Sequence, residues 1–207
     1  MTQNIPPKRV VLINGIPASG KSTLTLALSQ HFGWPVLTLD SLKEPFMHAF
    51  APVDRQRNRQ LGCAAYQAIW NIVEQAPASQ VWLIDAWFGF QPRALLEQGL
   101  QQAGVEEVLE LWLKIEPEVA VARYQARLTQ RLPGHPGAEY LPELHQLAQQ
   151  ARPMTLGPLF EVDACAQDHA AVIHWLQQQL TRTRYTSAHH QRSEELQDVV
   201  APVSANR

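Results

Sequence analysis

Apolar residues fall along this chain in short runs separated by longer stretches of helical spacing. Arg9-Val-Val-Leu-Ile-Asn14 is a β-branched apolar run that stops at Gly15, which predicts a buried strand. After a loop over Gly15–Gly20, the segment from Lys21 places Leu24, Leu28 and Phe32 on one helical face, and Gly33 and Pro35 close that helix. Val36–Leu39 predicts a second strand ending in Asp40. Asp54 is a candidate cap for a longer helix running to about Gln75, with Leu61, Ala65, Ile69 and Ile72 on its inner side. Val81–Ile84 is a third strand, ending in Asp85, and Pro92 opens a helix to about Ala103. Val108–Ile115 alternates as a fourth strand, and Pro117 starts a helix expected to reach about Arg131. Pro133-Gly-His-Pro-Gly137 breaks the pattern; a helix near Glu139–Ala151, a short strand over Leu159–Val162 and a last helix over His169–Leu180 follow.

Strands alternating with helices along the whole length predict an α/β fold with a parallel sheet covered on both faces. The expected domain is 1–180; residues 181–207 are polar and aperiodic and read as a tail, its His189-His190 pair solvated. A length of 207 residues, 45% apolar and 17% charged, fits one globular domain. A net charge of -2 and a pI near 6.4 give no overall field for nucleic acid or an anionic membrane, so neither is expected as a partner. Cys63 and Cys165 lie far apart with no metal-ligand spacing and are expected as free thiols. No apolar stretch nears the ~20 residues that span a bilayer, and no apolar signal region precedes the first strand. The expectation is a soluble, cytoplasmic protein.

The candidate chemistry starts where the first strand meets the first helix. Gly15-Ile16-Pro17-Ala18-Ser19-Gly20-Lys21-Ser22 fits the pattern G-x-x-x-x-G-K-[ST]. Glycines let the backbone turn tightly, so that successive N–H groups, through Thr23, point at phosphate oxygens. The helix beginning at Lys21 adds the positive end of its dipole. Lys21 then reaches the β- and γ-phosphates as a point charge, and the Ser22 hydroxyl suits Mg²⁺. ATP and Mg²⁺ are the expected cofactors.

Ligands of open α/β sheets sit outside the carboxyl ends of the strands, where Asp40 and Asp85 both fall. Phosphoryl transfer to a hydroxyl needs a carboxylate to orient that hydroxyl and take its proton, and another near the metal. Asp40 is assigned the first role and Asp85 the second. The exchanged roles remain open, as do Asp85 as a substrate contact and Asp40 as a plain helix cap. Lys43, Trp87, Phe88 and Phe90 stand nearby, either lining an acceptor pocket or packing beneath a loop. Arg123, Arg127 and Arg131 recur every four residues, and no acid lies four residues before Arg127 or Arg131. Facing a nucleotide, such guanidinium groups bind phosphate and spread transition-state charge, under a lid hinged at the Pro/Gly break. The alternative is a solvated basic face. His135 and Arg152 are weaker candidates.

With Gly15–Ser22, the strands ending at Asp40 and Asp85, the arginine-bearing helix and Glu161-Val-Asp163 before a last helix, the chain resembles the P-loop small-molecule kinases. It is similar to the branch holding chloramphenicol phosphotransferase, the zeta-toxin kinases and gluconate-kinase-like proteins, some of them called AAA-family ATPases. The resemblance covers about residues 8–180. It implies a three-layer P-loop NTPase fold with a five-stranded parallel sheet of order 2-3-1-4-5. It also implies Asp40 as the base, and Arg127 and Arg131 on the phosphates; Arg123 is grouped with the nucleotide-binding residues from its spacing alone. The implied activity is transfer of the γ-phosphate of ATP to a small-molecule hydroxyl. The acceptor segments, Leu42–Leu61 and Trp87–Arg93, match no named substrate. A nucleoside or nucleotide kinase and a non-kinase ATPase are the rival readings. A GTPase is disfavoured, because no Asn-Lys-x-Asp is present.

Overall fold

A computed structural model describes residues 7–166 and 168–182. Contacts divide the chain into units 1–169 and 170–207. In the first unit, five strands form one parallel sheet of order β2-β3-β1-β4-β5. They are β1 (Arg9–Asn14), β2 (Val36–Thr38), β3 (Val81–Ala86), β4 (Glu107–Lys114) and β5 (Leu159–Asp163). The helices between them are α1 (Lys21–Phe32), α2 (Leu39–Ala49), α3 (Arg55–Gln75), α4 (Arg93–Gln102), α5 (Pro117–Ala126) and α6 (Leu141–Gln150). In the second unit the described residues belong to a helix over 169–182, which buries Val172 and Leu176. The proposed tail lies, from 183 on, outside the described residues.

The central strand β1 shows why the sheet is covered twice. Val10, Val11, Leu12 and Ile13 are all fully buried, as a parallel strand with helices on both faces must be. Side chains alternate between faces along a strand. Val10 and Leu12 join Tyr66, Ile69, Trp70 and Val73 of α3 and Leu96 and Leu100 of α4. α1 contacts β1 and β3 and buries Leu24 and Leu28. A separate cluster of Ile16, Ile115, Ala120, Tyr124, Tyr140 and Leu144 sits beneath α5 and α6.

Three elements differ from the expectation. The buried stripe of α3 is Ala65, Tyr66, Ile69, Trp70 and Val73, while Leu61 and Ile72 are only half-buried; the aromatic rings fill the space between α3 and the sheet and set its rotation. β2 ends at Thr38, whose side chain accepts from Ser41 N at 2.9 Å and caps α2. Asp40 thus occupies the first turn of α2 and is not its cap. α5 ends at Ala126, and a tighter 3₁₀ turn covers Leu128–Gln130. Leu128 packs on the second cluster there, so the three arginines do not share one continuous helix.

Candidate active site

Strand register brings the chemistry together. Ile13 of β1 and Thr38 of β2 both lie opposite Asp85 of β3. The loop after β1, the start of α2 and Asp85 therefore meet at one end of the sheet. They open on a cavity of about 560 Å³. Pro17, Ala18, Gly20, Lys21, Ser22 and Thr23 form one wall; Asp40 and Lys43 of α2 form another.

Backbone geometry shapes the loop. Gly20 adopts φ 93° at the N-cap of α1, where a side chain would be strained. Ala18 is also held at φ 68°, although it carries a Cβ; such outliers concentrate where structure serves binding. A Cβ on Gly15 would meet Ser19 Oγ at 2.7 Å and Leu113 O at 3.1 Å. Ile16 and Ser19 are buried beneath the loop. Lys21 Nζ donates to Gly15 O at 2.8 Å and to Ile16 O at 3.0 Å. Burial lowers the Lys21 pKa and Arg127 lowers it further, against the pull of Asp85 and Asp40.

Ser22 Oγ donates to Asp85 Oδ2 at 3.0 Å. Asp85 is 5% exposed. Burial raises its pKa and Asp40 adds to that, while Lys21 and the Ser22 hydrogen bond pull it down. A hydroxyl and a carboxylate side by side are hard oxygen donors, a set that fits Mg²⁺. Behind them, Asn14 Nδ2 donates to the buried Glu110 at 2.8 Å, and Asn14 Oδ1 accepts from Phe88 N at 3.2 Å. This network ties the segment after β3 to the end of β1.

At the start of α2, Lys43 Nζ lies 3.0 Å from Asp40 Oδ1; the Lys43 side chain is 8% exposed and that of Asp40 58%. Burial pushes the Asp40 pKa up, but Lys43, His135 and Arg131 together hold it below its ordinary value. His135 Nδ1 lies 3.1 Å from Arg131 and Nε2 lies 2.8 Å from Glu44. An arginine only donates, so Nδ1 accepts and Nε2–H donates to Glu44: the neutral imidazole. The direction of the His135 pKa agrees. Burial lowers it, then Lys43, and Glu44 opposes them. Ligand atoms of Asp40, Glu44 and His135 lie within 4.8 Å of one another, but each is already engaged: Asp40 with Lys43, Glu44 with His135, and His135 with Arg131. This is a hydrogen-bonded network.

The arginines part company. Arg127 and Arg131 line the cavity. Arg131 sits 4.6 Å from the centroid of the Tyr124 ring, a cation–π contact. Arg123 turns away to the end of β5, donating twice to Ala164 O at 3.2 Å. Arg152 bonds to Gln149 O and Ala151 O nearby. Among the aromatics, Trp87 and Phe90 line the cavity, whereas Phe88 is core at 1% exposure. One face went unrecognised from sequence at the level of residues. Arg55, Asn58, Arg59 and Gly62 all line the cavity from α3. Their i, i+3, i+4, i+7 spacing was the available signal, and polarity hid it.

No protein-family profile and no curated protein matches the chain. Solved structures do. A protein from Chloroflexus aurantiacus J-10-fl described as a "putative kinase" is 25% identical, with a TM-score of 0.69 over 83% of this chain and 97% of that one. A sugar kinase from Janibacter sp. HTCC2649 is 18% identical, with a TM-score of 0.55 over 85% and 95%. Shikimate kinase from Bacteroides thetaiotaomicron is 20% identical, with a TM-score of 0.54 over 84% and 98%.

Proposed function

On the premise of a P-loop small-molecule kinase fold, we propose that this chain moves the γ-phosphoryl group of ATP to a hydroxyl of a small molecule. The observation that carries the reading is the Ser22–Asp85 pair at 3.0 Å beside Lys21, with the Asp40–Lys43 pair lining the same cavity. One group suits a metal-bound polyphosphate and the other an acceptor.

Residues Gly15–Thr23 wrap the phosphates with backbone N–H groups, and Lys21 exchanges its two carbonyl partners for phosphate oxygens. Ser22 and Asp85 would hold Mg²⁺, directly or through water; the ion neutralises charge on the β- and γ-phosphates. Asp40 accepts a hydrogen bond from the acceptor hydroxyl. The hydroxyl oxygen forms a bond to the γ-phosphorus as the bridging oxygen–phosphorus bond breaks and ADP leaves with the electron pair. The hydroxyl proton passes to Asp40. Its pKa below the ordinary carboxylate value makes Asp40 a weak base. That suits a loose transition state, in which positioning matters more than early proton removal. Arg127 and Arg131 stabilise charge on the transferring group. Arg123, held on Ala164 O outside the cavity lining, would reach the nucleotide only on leaving that carbonyl. A cytoplasmic setting, where ATP is abundant, is part of the proposal; no helix among the described residues is long and apolar enough to cross a membrane.

The test is ADP release from ATP and Mg²⁺ against a panel of hydroxyl-bearing metabolites. Release that rises only with a particular acceptor supports the kinase. Acceptor-independent turnover makes the chain an ATPase and overturns the proposal.

A further inference from the structure

The acceptor wall is built for an anion. Lys43 is 6% exposed, and burying an ammonium group requires partners for its charge and its three hydrogens. Among the described residues, its recorded polar partner is Asp40, at 3.0 Å. Gly62 of α3 leaves room beside it: a Cβ there would lie 4.0 Å from Lys43 Cδ. On the same face of α3, Arg55 is paired with Glu143. Arg59 lines the cavity from an exposed position at its edge, with no hydrogen bond or ion pair among the described residues. The wall therefore presents a free guanidinium and a buried ammonium with donors to spare, beside a carboxylate placed to receive a hydroxyl. The polyphosphate has its own cations in Lys21 and Arg127, and α3 packs on α2 and α4.

We propose that the acceptor is a hydroxy compound bearing a carboxylate or phosphate group, which Arg59 and Lys43 bind while Asp40 takes its hydroxyl. This deepens the kinase reading and rests on it. A neutral polyol offers the buried Lys43 ammonium hydroxyl oxygens but no countercharge, and leaves the exposed Arg59 to water. An anion supplies the oxygens that a planar guanidinium and an ammonium bind best.

Calorimetry tests the acceptor without turnover. Glucose, gluconate and glucose 6-phosphate, then glycerol, glycerate and glycerol 3-phosphate, are titrated into the protein with Mg·ADP present. Binding by carboxylates or by phosphates, and not by the neutral partner of the same set, is expected; which arm responds identifies the group. Arg59→Gln is expected to weaken that binding by ~10-fold or more, with Arg59→Lys recovering part of the loss. Equal or tighter binding of the neutral compounds overturns the inference. So does the absence of binding by all four anions, or an Arg59→Gln protein that binds them as the parent does. The kinase reading fails separately, if Mg·ATP itself does not bind.

Discussion

Asp40 shows how little of a residue's role resides in its own type. It stands in the first turn of α2, where a carboxylate suits the helix dipole, yet Thr38 performs the capping. That leaves Asp40 available to the cavity, with Lys43 beside it. Asp40→Asn keeps the shape and removes the charge. Steady-state kinetics of this variant are expected to show transfer lowered ~10²-fold, with Mg·ATP affinity retained. Collapse of nucleotide affinity would move Asp40 to the metal site. His135 makes a different prediction, about pH. Its folded pKa lies below the ordinary 6.5, so as pH falls through that value the unfolded chain takes up a proton that the folded chain refuses. Stability then rises with pH in this window and is lost on acidification from about 6.5 down to the folded pKa. Urea midpoints between pH 5 and 7.5 measure the slope, on the order of this linkage, and His135→Gln is expected to flatten it.

Helices and strands record a contest between local preference and packing. α1 follows its sequence from Lys21 to Phe32, because a glycine at each end sets its limits. α3 runs from the Asp54 cap to Gln75, as the pattern predicts, and only its rotation differs. Rotation depends on which large side chains the sheet can accept, and no periodicity contains that. Gly99 in α4 tests the same contest. Alanine there would gain about 1 kcal/mol in helix propensity. Its Cβ, however, would come 2.3 Å from Cδ1 of Trp70, which is 2% exposed. Overpacking costs about 1–3 kcal/mol, so Gly99→Ala is expected to lower the urea midpoint despite the better helix former. An unchanged midpoint would mean that α3 and α4 separate easily. The arginine stripe failed as an element for the same reason. Three residues spaced by four predict one face only if the helix continues, and Leu128 packs where the chain tightens into a 3₁₀ turn.

For the whole molecule, nucleotide binding at the loop after β1, as proposed, would couple ligand to stability. A ligand that binds the folded state at about 100 times its Kd stabilises by about 2.7 kcal/mol. For a chain of 207 residues that corresponds to a Tm increase of roughly 5–11 °C. Differential scanning calorimetry is expected to show that rise with saturating Mg·ATP, and Lys21→Ala is expected to remove most of it. A full shift in the variant would place the phosphates elsewhere. The strand runs, the Gly15–Ser22 loop and the alternation of strand with helix were legible in the chain itself, because each depends on neighbours within a few residues. Helix caps, tight turns and buried runs are local physics. The pairing of Thr38 and Ile13 with Asp85, the turning of Arg123 toward Ala164, and the meeting of Lys43 with the polar face of α3 were decided only on folding. Those contacts join residues far apart in sequence, and their energies depend on which surfaces the sheet brings within a few ångströms of one another.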